Sequence, residues 1–168
     1  LTGMDMQDFS DRGWAEYKAS DIEFRSGNSL EFLEGKDEQF DLLLCMGILY
    51  YYDDINSFLE TVTKATRSAL VVDTFCYNST RSTEKRVSNP PNRMTEAAAE
   101  SSSYVTIPSE KKLMACLDAL GFYSYKIDEF SDKYSDSVGK RLELDIKRSC
   151  VLAIRKKDYS DMHKYERT

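Results

Sequence analysis

The chain has 168 residues, 41% of them hydrophobic and 31% charged, with a net charge of −6. That is one domain's worth of sequence with enough apolar side chains for a core, and it lacks the strongly basic balance that nucleic-acid binding asks for. No apolar run approaches the roughly 18–20 residues that cross a membrane, and the N-terminus lacks the basic start and apolar block of a secretory signal.

In chain order, "GMDMQDF" at 3–9 comes first: a short apolar lead-in, a glycine and an acid, the way many nucleotide-binding folds end a strand beneath a ribose. Residues 7–19 read as a helix carrying Phe9, Trp14 and Tyr17, weakened by Gly13. "DIEFRSG" at 21–27 alternates Ile22 and Phe24 with charges, a strand pattern. "SLEFLEG" is a short helical stretch closed by Gly35. "FDLLLCMGILY" at 40–50 is the most apolar run, and its unbroken character predicts a strand covered on both faces. In "DDINSFLETVTKA", Ile55, Phe58, Leu59 and Val62 fall on one helical face, with Asp53 or Asp54 as N-cap. "SALVVDTF" at 68–75 is a further buried strand. This alternation of strand and helix predicts an α/β domain with a parallel sheet and right-handed connections.

Residues 76–104 interrupt the pattern with a polar, serine-rich stretch containing Pro90 and Pro91. It reads either as a structureless excursion or as a lid over a ligand. Order returns at "TIPSEKKLMACLDALGF", a helix with Ser109 as N-cap, Leu113, Cys116, Leu117 and Leu120 on its apolar face, and Gly121 as its stop. "FYSYKIDEF" and "SCVLAIRKK" are strands joined by a charged connection. Arg155, Lys156 and Lys157 are read as a solvated edge rather than a nucleic-acid face. The domain is placed at 1–157, with a polar tail at 158–168.

Cys45, Cys76, Cys116 and Cys150 are far apart, and the single histidine, His163, lies in the tail, so no metal site is expected. Scattered cysteines in apolar segments read as reduced, buried thiols, and hence as a cytoplasmic protein.

In an open parallel sheet, ligands bind beyond the carboxyl ends of the strands. Those ends supply Asp5; then Asn28 and Ser29; then Met46, Gly47, Leu49 and Tyr50; then Asp73 and Thr74. Each has a local alternative: Asp5 as a helix cap, Asn28 as a turn residue, Tyr50–Tyr52 as a half-buried rim. Their joint placement on successive strand ends favours a site.

"TGMD", "SGNSLEFL", "FDLLLCMGILYYYDDINSFLETV" and "ALVVDTF" together resemble the run from the second to the fifth strand of class I S-adenosylmethionine-dependent methyltransferases. "CMGILYY" and "YVTIPSEKKLMACLDALGF" resemble the branch that includes the wobble-uridine tRNA carboxymethyltransferases, and "SCVLAIRKK" resembles the fold's closing strand. The resemblance implies a Rossmann-like sheet, mostly parallel with an antiparallel last strand, and S-adenosylmethionine as cofactor. It implies that Asp5 holds the cofactor ribose, Met6 packs beside the adenine, and Asn28 and Ser29 meet its edge. Met46 and Gly47 would pass the methionine part. Tyr50, Tyr51, Thr74 and Tyr104 would line the acceptor pocket. No residue stands out as a general base.

Three departures qualify the resemblance. Tyr51 stands where the branch has His. "ESSSYVTIPS" lacks the Arg that would grip a carboxylated cofactor, so ordinary S-adenosylmethionine is expected. The glycine-rich loop, with the first strand and helix of the fold, is missing, leaving a slot between the strand ending at Asp5 and the one ending at Gly47. Because the chain opens on Leu1 rather than Met, a trimmed or partial product is expected. The acceptor is expected to be a small molecule rather than tRNA, no membrane is involved, and open strand edges could pair with a second copy. The alternative is a catalytically inactive binding or interaction module on the same fold.

Overall fold

The computed structural model describes residues 2–5, 23–79, 81–88, 104–127 and 146–158. The predicted helix at 7–19 and the residue Met6 lie outside them.

Strand β1 (Thr2–Asp5) pairs in parallel with β2 (Glu23–Ser26), in a register that sets Asp5 beside Ser26. Helix α1 (Ser29–Leu33) follows, capped by Asn28, whose side chain accepts from Leu30 N–H. Strand β3 (Phe40–Met46) ends before a single 3-10 turn, Leu49–Tyr51, so the long apolar run is not one strand. Helix α2 (Ile55–Ala65) is capped by Asp54, which accepts from the N–H groups of Asn56 and Ser57. Strand β4 (Thr66–Tyr77) runs parallel to β3.

Part of the polar stretch after β4 forms a strand. Strand β5 (Glu84–Ser88) pairs antiparallel with β6 (Tyr104–Pro108), so Tyr104 opens a strand rather than sitting in a loop. Helix α3 (Glu110–Ala119) follows, capped by Ser109, and the chain turns at Gly121, where φ is +88°. Strands β7 (Phe122–Ile127) and β8 (Ile146–Arg155) complete the fold.

The principal sheet has the order β3-β4-β8-β7, with β8 antiparallel to both its neighbours. Three of its strands therefore run one way and β8 the other. β1–β2 is a separate parallel pair, and β3 has its ladder partner, β4, on one edge only among the described residues. Among the described residues no strand joins the β1–β2 pair to the principal sheet, where the sequence anticipates a slot between the strands ending at Asp5 and at Gly47.

The two faces of this sheet differ. Cross-strand rows such as Leu43–Leu70–Ala153 and Cys45–Val72–Val151 share one face. They pack with Phe58, Leu59 and Val62 of α2 and Leu113 and Leu117 of α3 into the main core. The opposite face carries rows such as Leu44–Val71–Leu152–Tyr125. There Leu42, Leu44 and Met46 are 54%, 55% and 51% exposed, and Tyr123 and Tyr125 are exposed as well. Among the described residues, β3 is therefore covered on one face, not on both as its apolar run predicts. α2 and α3 pack on the same side, and an apolar run records only that a strand can be buried.

This asymmetry makes a direct prediction. Leu70→Ala, at a fully buried site, should cost about 2–5 kcal/mol in chemical denaturation, whereas Leu44→Ala should stay within roughly 0.5 kcal/mol of the parent. Equal losses would contradict the one-sided packing.

Candidate functional site at the carboxyl ends of the strands

Because β3 and β4 run in parallel, their carboxyl ends share one edge of the sheet. β8 runs the other way, so its first residues arrive at the same edge. Phe75 stands opposite Arg148 in the ladder, and Asp73 opposite Cys150. Asp73, Phe75 and Arg148 therefore project from one face as diagonal neighbours.

Arg148 grips Asp73 with two nitrogens: Nε lies 2.7 and 2.9 Å from Oδ1 and Oδ2, and Nη2 lies 2.5 Å from Oδ2. The Asp73 side chain is 9% exposed and that of Arg148 31%. A carboxylate that far from water needs a charged, bidentate partner, and Arg supplies one. The guanidinium also lies 5.8 Å from the centre of the Phe75 ring.

Gly47 meets this pair. Its N–H donates to the Asp73 carbonyl at 2.7 Å, and its φ is +70°. A Cβ at this position would come 3.3 Å from Arg148 Nη2 and 3.7 Å from Tyr50 Oη. Both the backbone angle and the close approach favour glycine here. The Tyr50 ring packs 4.4 Å from Tyr51 and 5.1 Å from Phe75, centre to centre. Burial pushes the Tyr50 phenol above its ordinary range, and its hydrogen bond with Tyr51 adds to the shift. At neutral pH Tyr50 is a neutral hydroxyl and not a base.

The β5–β6 ribbon walls the site from beyond β4. Ile107 of β6 packs with Tyr77 and Ile146 in a second small core, joined by Tyr50 and Phe75. Ser109 pins the base of the ribbon. Its buried hydroxyl donates to the Arg81 carbonyl at 2.8 Å and accepts from the N–H groups of Thr83 and Lys112, at 3.2 and 3.1 Å. One side chain thus caps α3 and ties down the approach to β5. Arg86 of β5 reaches Asp53, just before α2, at 3.2 Å.

The other sequence-derived candidates are distributed as follows. Asp5 ends β1 beside Ser26; its side chain, like that of Tyr104, lies outside the described residues. Asn28 is exposed and engaged locally, capping α1 and donating to Glu31 at 3.2 Å. Ser29 Oγ is 3.1 Å from Tyr52 Oη, a bond that ties the end of β2 to the turn after β3. Met46 and Tyr51 are exposed at the site. Thr74 lies on the helix-covered face with Leu70 and Val72, 1% exposed, and its hydroxyl has no hydrogen-bond partner among the described residues. The residue that faces the site is its neighbour Asp73. Arg148 was not singled out by the sequence, because only the antiparallel register brings it to this edge.

The four cysteines are free. Burial pushes the thiols of Cys45 and Cys76 up to about 12, so both stay protonated and unreactive at neutral pH. Among the described residues no group of His, Cys, Asp and Glu could hold a metal ion.

Comparison with solved structures decides the fold. The N-terminal domain of EvdMO1 with SAH bound superposes with a TM-score of 0.63 at 17% identity, covering 92% of this chain and 64% of that one. The fold is that of the S-adenosylmethionine-dependent methyltransferases. A SAM-dependent methyltransferase from Methanosarcina mazei gives a TM-score of 0.56 at 14% identity, covering 92% of this chain and 81% of its own. The Burkholderia thailandensis 1,6-didemethyltoxoflavin-N1-methyltransferase, with 1,6-didemethyltoxoflavin and S-adenosylhomocysteine bound, gives 0.54 at 17%, covering 92% of this chain and 60% of its own. The chain thus spans less than two thirds of the EvdMO1 domain. No family model matches the sequence, and no curated protein matches it.

The anchoring of the ribbon can be tested directly. Ser109→Ala should destabilise the protein by about 1–3 kcal/mol, more than a cap alone, because it also removes the hydroxyl that the Arg81 carbonyl and the Thr83 N–H share. A thermal or urea melt matching the parent would contradict the dual role.

Proposed function

We propose that the chain binds S-adenosylmethionine at the carboxyl ends of β1, β2 and β3 and, as part of the protein it belongs to, transfers a methyl group to a small-molecule acceptor. The observation that carries this reading is the Gly47 turn. It combines a positive φ, a position where a Cβ would crowd Arg148, and an aromatic wall of Tyr50, Tyr51 and Phe75. The residues present fit the cofactor: Gly47 allows close backbone approach, and the β1–β2 register brings Asp5 to the end of the neighbouring strand.

In this reading Asp5 accepts from the ribose hydroxyls, and Met6, Asn28 and Ser29 border the adenine. The main chain of Met46 and Gly47 passes the methionine part. Bound there, S-adenosylmethionine supplies an electrophilic methyl group on a positively charged sulfur. The chain's part is chiefly positioning, which dominates such a transfer. Tyr50 and Tyr51 orient the acceptor, Tyr50 through a hydroxyl that keeps its proton. Tyr104, at the start of β6, closes the acceptor side.

Solved neighbours that carry SAH support the cofactor assignment. The acidic balance of the chain supports a small acceptor over RNA. The tRNA carboxymethyltransferase branch rests on the "CMGILYY" and "IPS" motifs alone. Free, buried thiols support a cytoplasmic setting, and none of the helices described is long and apolar enough to cross a membrane.

A second reading, a binding module without catalysis, draws on Asn28 and Ser29, whose side chains are both engaged in local hydrogen bonds. Calorimetric titration with S-adenosylhomocysteine addresses the cofactor assignment that the first reading needs. Saturable heat is expected, and Asp5→Ala should weaken binding by about 1.5–3 kcal/mol through loss of charged hydrogen bonds. Absence of both heat and thermal shift would overturn the cofactor assignment.

A further inference from the structure

The Asp73–Arg148 pair has no part in the positioning described so far, yet it lies directly behind the Gly47 turn. We propose that this pair sets the charge preference of the cofactor site: Asp73 and Arg148 together decide how strongly the site favours the cationic sulfonium of S-adenosylmethionine over the neutral thioether of its product. The inference rests on the cofactor reading above.

The pair touches the turn from two sides. The Asp73 main chain holds Gly47 through its carbonyl, at 2.7 Å. Arg148 Nη2 stands 3.3 Å from the place a Gly47 Cβ would take. Asp73 is nearly water-free and Arg148 about a third exposed, so their charges are less screened than those of surface ion pairs. Arg148 alone would set a full positive charge against the turn and oppose a cationic ligand. Asp73 alone would set a buried negative charge there and attract one. Paired, they present little net charge, so the cationic sulfonium is neither repelled by Arg148 nor over-held by Asp73. Of the further charged groups described near the edge, Glu110, Lys126 and Lys147 are bonded among themselves around the N-terminus of α3, and Arg86 reaches Asp53.

The test is a ratio. The dissociation constants of S-adenosylmethionine and S-adenosylhomocysteine are measured by calorimetry on the full chain and on Asp73→Asn, Arg148→Met and the double variant. Asp73→Asn should shift the ratio toward the neutral product by about threefold to tenfold, the effect of one partly screened unit charge. Arg148→Met should shift it the other way by a similar factor, and the double variant should return it near the parent value. A merely structural role would weaken both ligands alike and leave the ratio unchanged, which would overturn the proposal while sparing the cofactor reading. If the parent bound neither ligand, the cofactor reading would fall and this proposal with it. Should Arg148→Met fail to fold, Arg148→Lys keeps the charge without the fork. Its ratio should stay near the parent's while Asp73→Asn still shifts, and a shift in Arg148→Lys as large as in Asp73→Asn would overturn the proposal.

Discussion

Strand β4 is the constraint on which the rest depends. Its residues are hydrogen-bonded on both edges, in parallel to β3 and antiparallel to β8. That single arrangement determines what meets at the carboxyl edge. The parallel ladder delivers Met46 and Gly47 beside Asp73. The antiparallel ladder delivers Arg148 opposite Phe75. Neither delivery depends on the loops. A site assembled from the ends of hydrogen-bonded strands is held more firmly than one assembled from loops alone.

The second constraint is Ser109. Fully buried, it satisfies backbone groups of two segments: the Arg81 carbonyl and Thr83 N–H before β5, and the first turn of α3. The β5–β6 ribbon is therefore anchored at its base, and Ile107 can seal Tyr77 and Ile146 against the far side of the site. The β5–β6 ribbon and the α3 side of the core share one hydroxyl. Among the described residues, no helix packs on the opposite face of the principal sheet. Its rows of Leu42, Leu44 and Met46 stay exposed among the described residues, although parallel sheets of this kind are ordinarily covered on both sides.

Much of the fold was legible because periodicity reports directly on burial. Ile55, Phe58, Leu59 and Val62 were assigned to one helical face and are all buried. Asp54, Ser109 and Gly121 punctuate the helices as their side chains and backbone demand. β5 was not legible: "EKRVS" offers a single apolar residue, and its strand character comes from pairing with β6. The exposure of β3 was not legible either, since an apolar sequence does not say whether a cover is present. At the site, Gly47 and Tyr50 could be read from their place after a strand, whereas Arg148 required the register of β8. The face on which Thr74 points depended on the same register, and so the charged neighbour Asp73 rather than the hydroxyl meets the turn.

The central claim is that the carboxyl ends of β1, β2 and β3 form one cofactor site organised around Gly47. The most direct measurement is a residue-resolved amide NMR spectrum of the full chain during titration with S-adenosylhomocysteine. Saturable shifts are expected at Asp5, Gly27, Asn28, Met46, Gly47 and Tyr50, with the α2–α3 face of the sheet unmoved. Saturable shifts confined to another surface, or no shifts at any concentration, would contradict it.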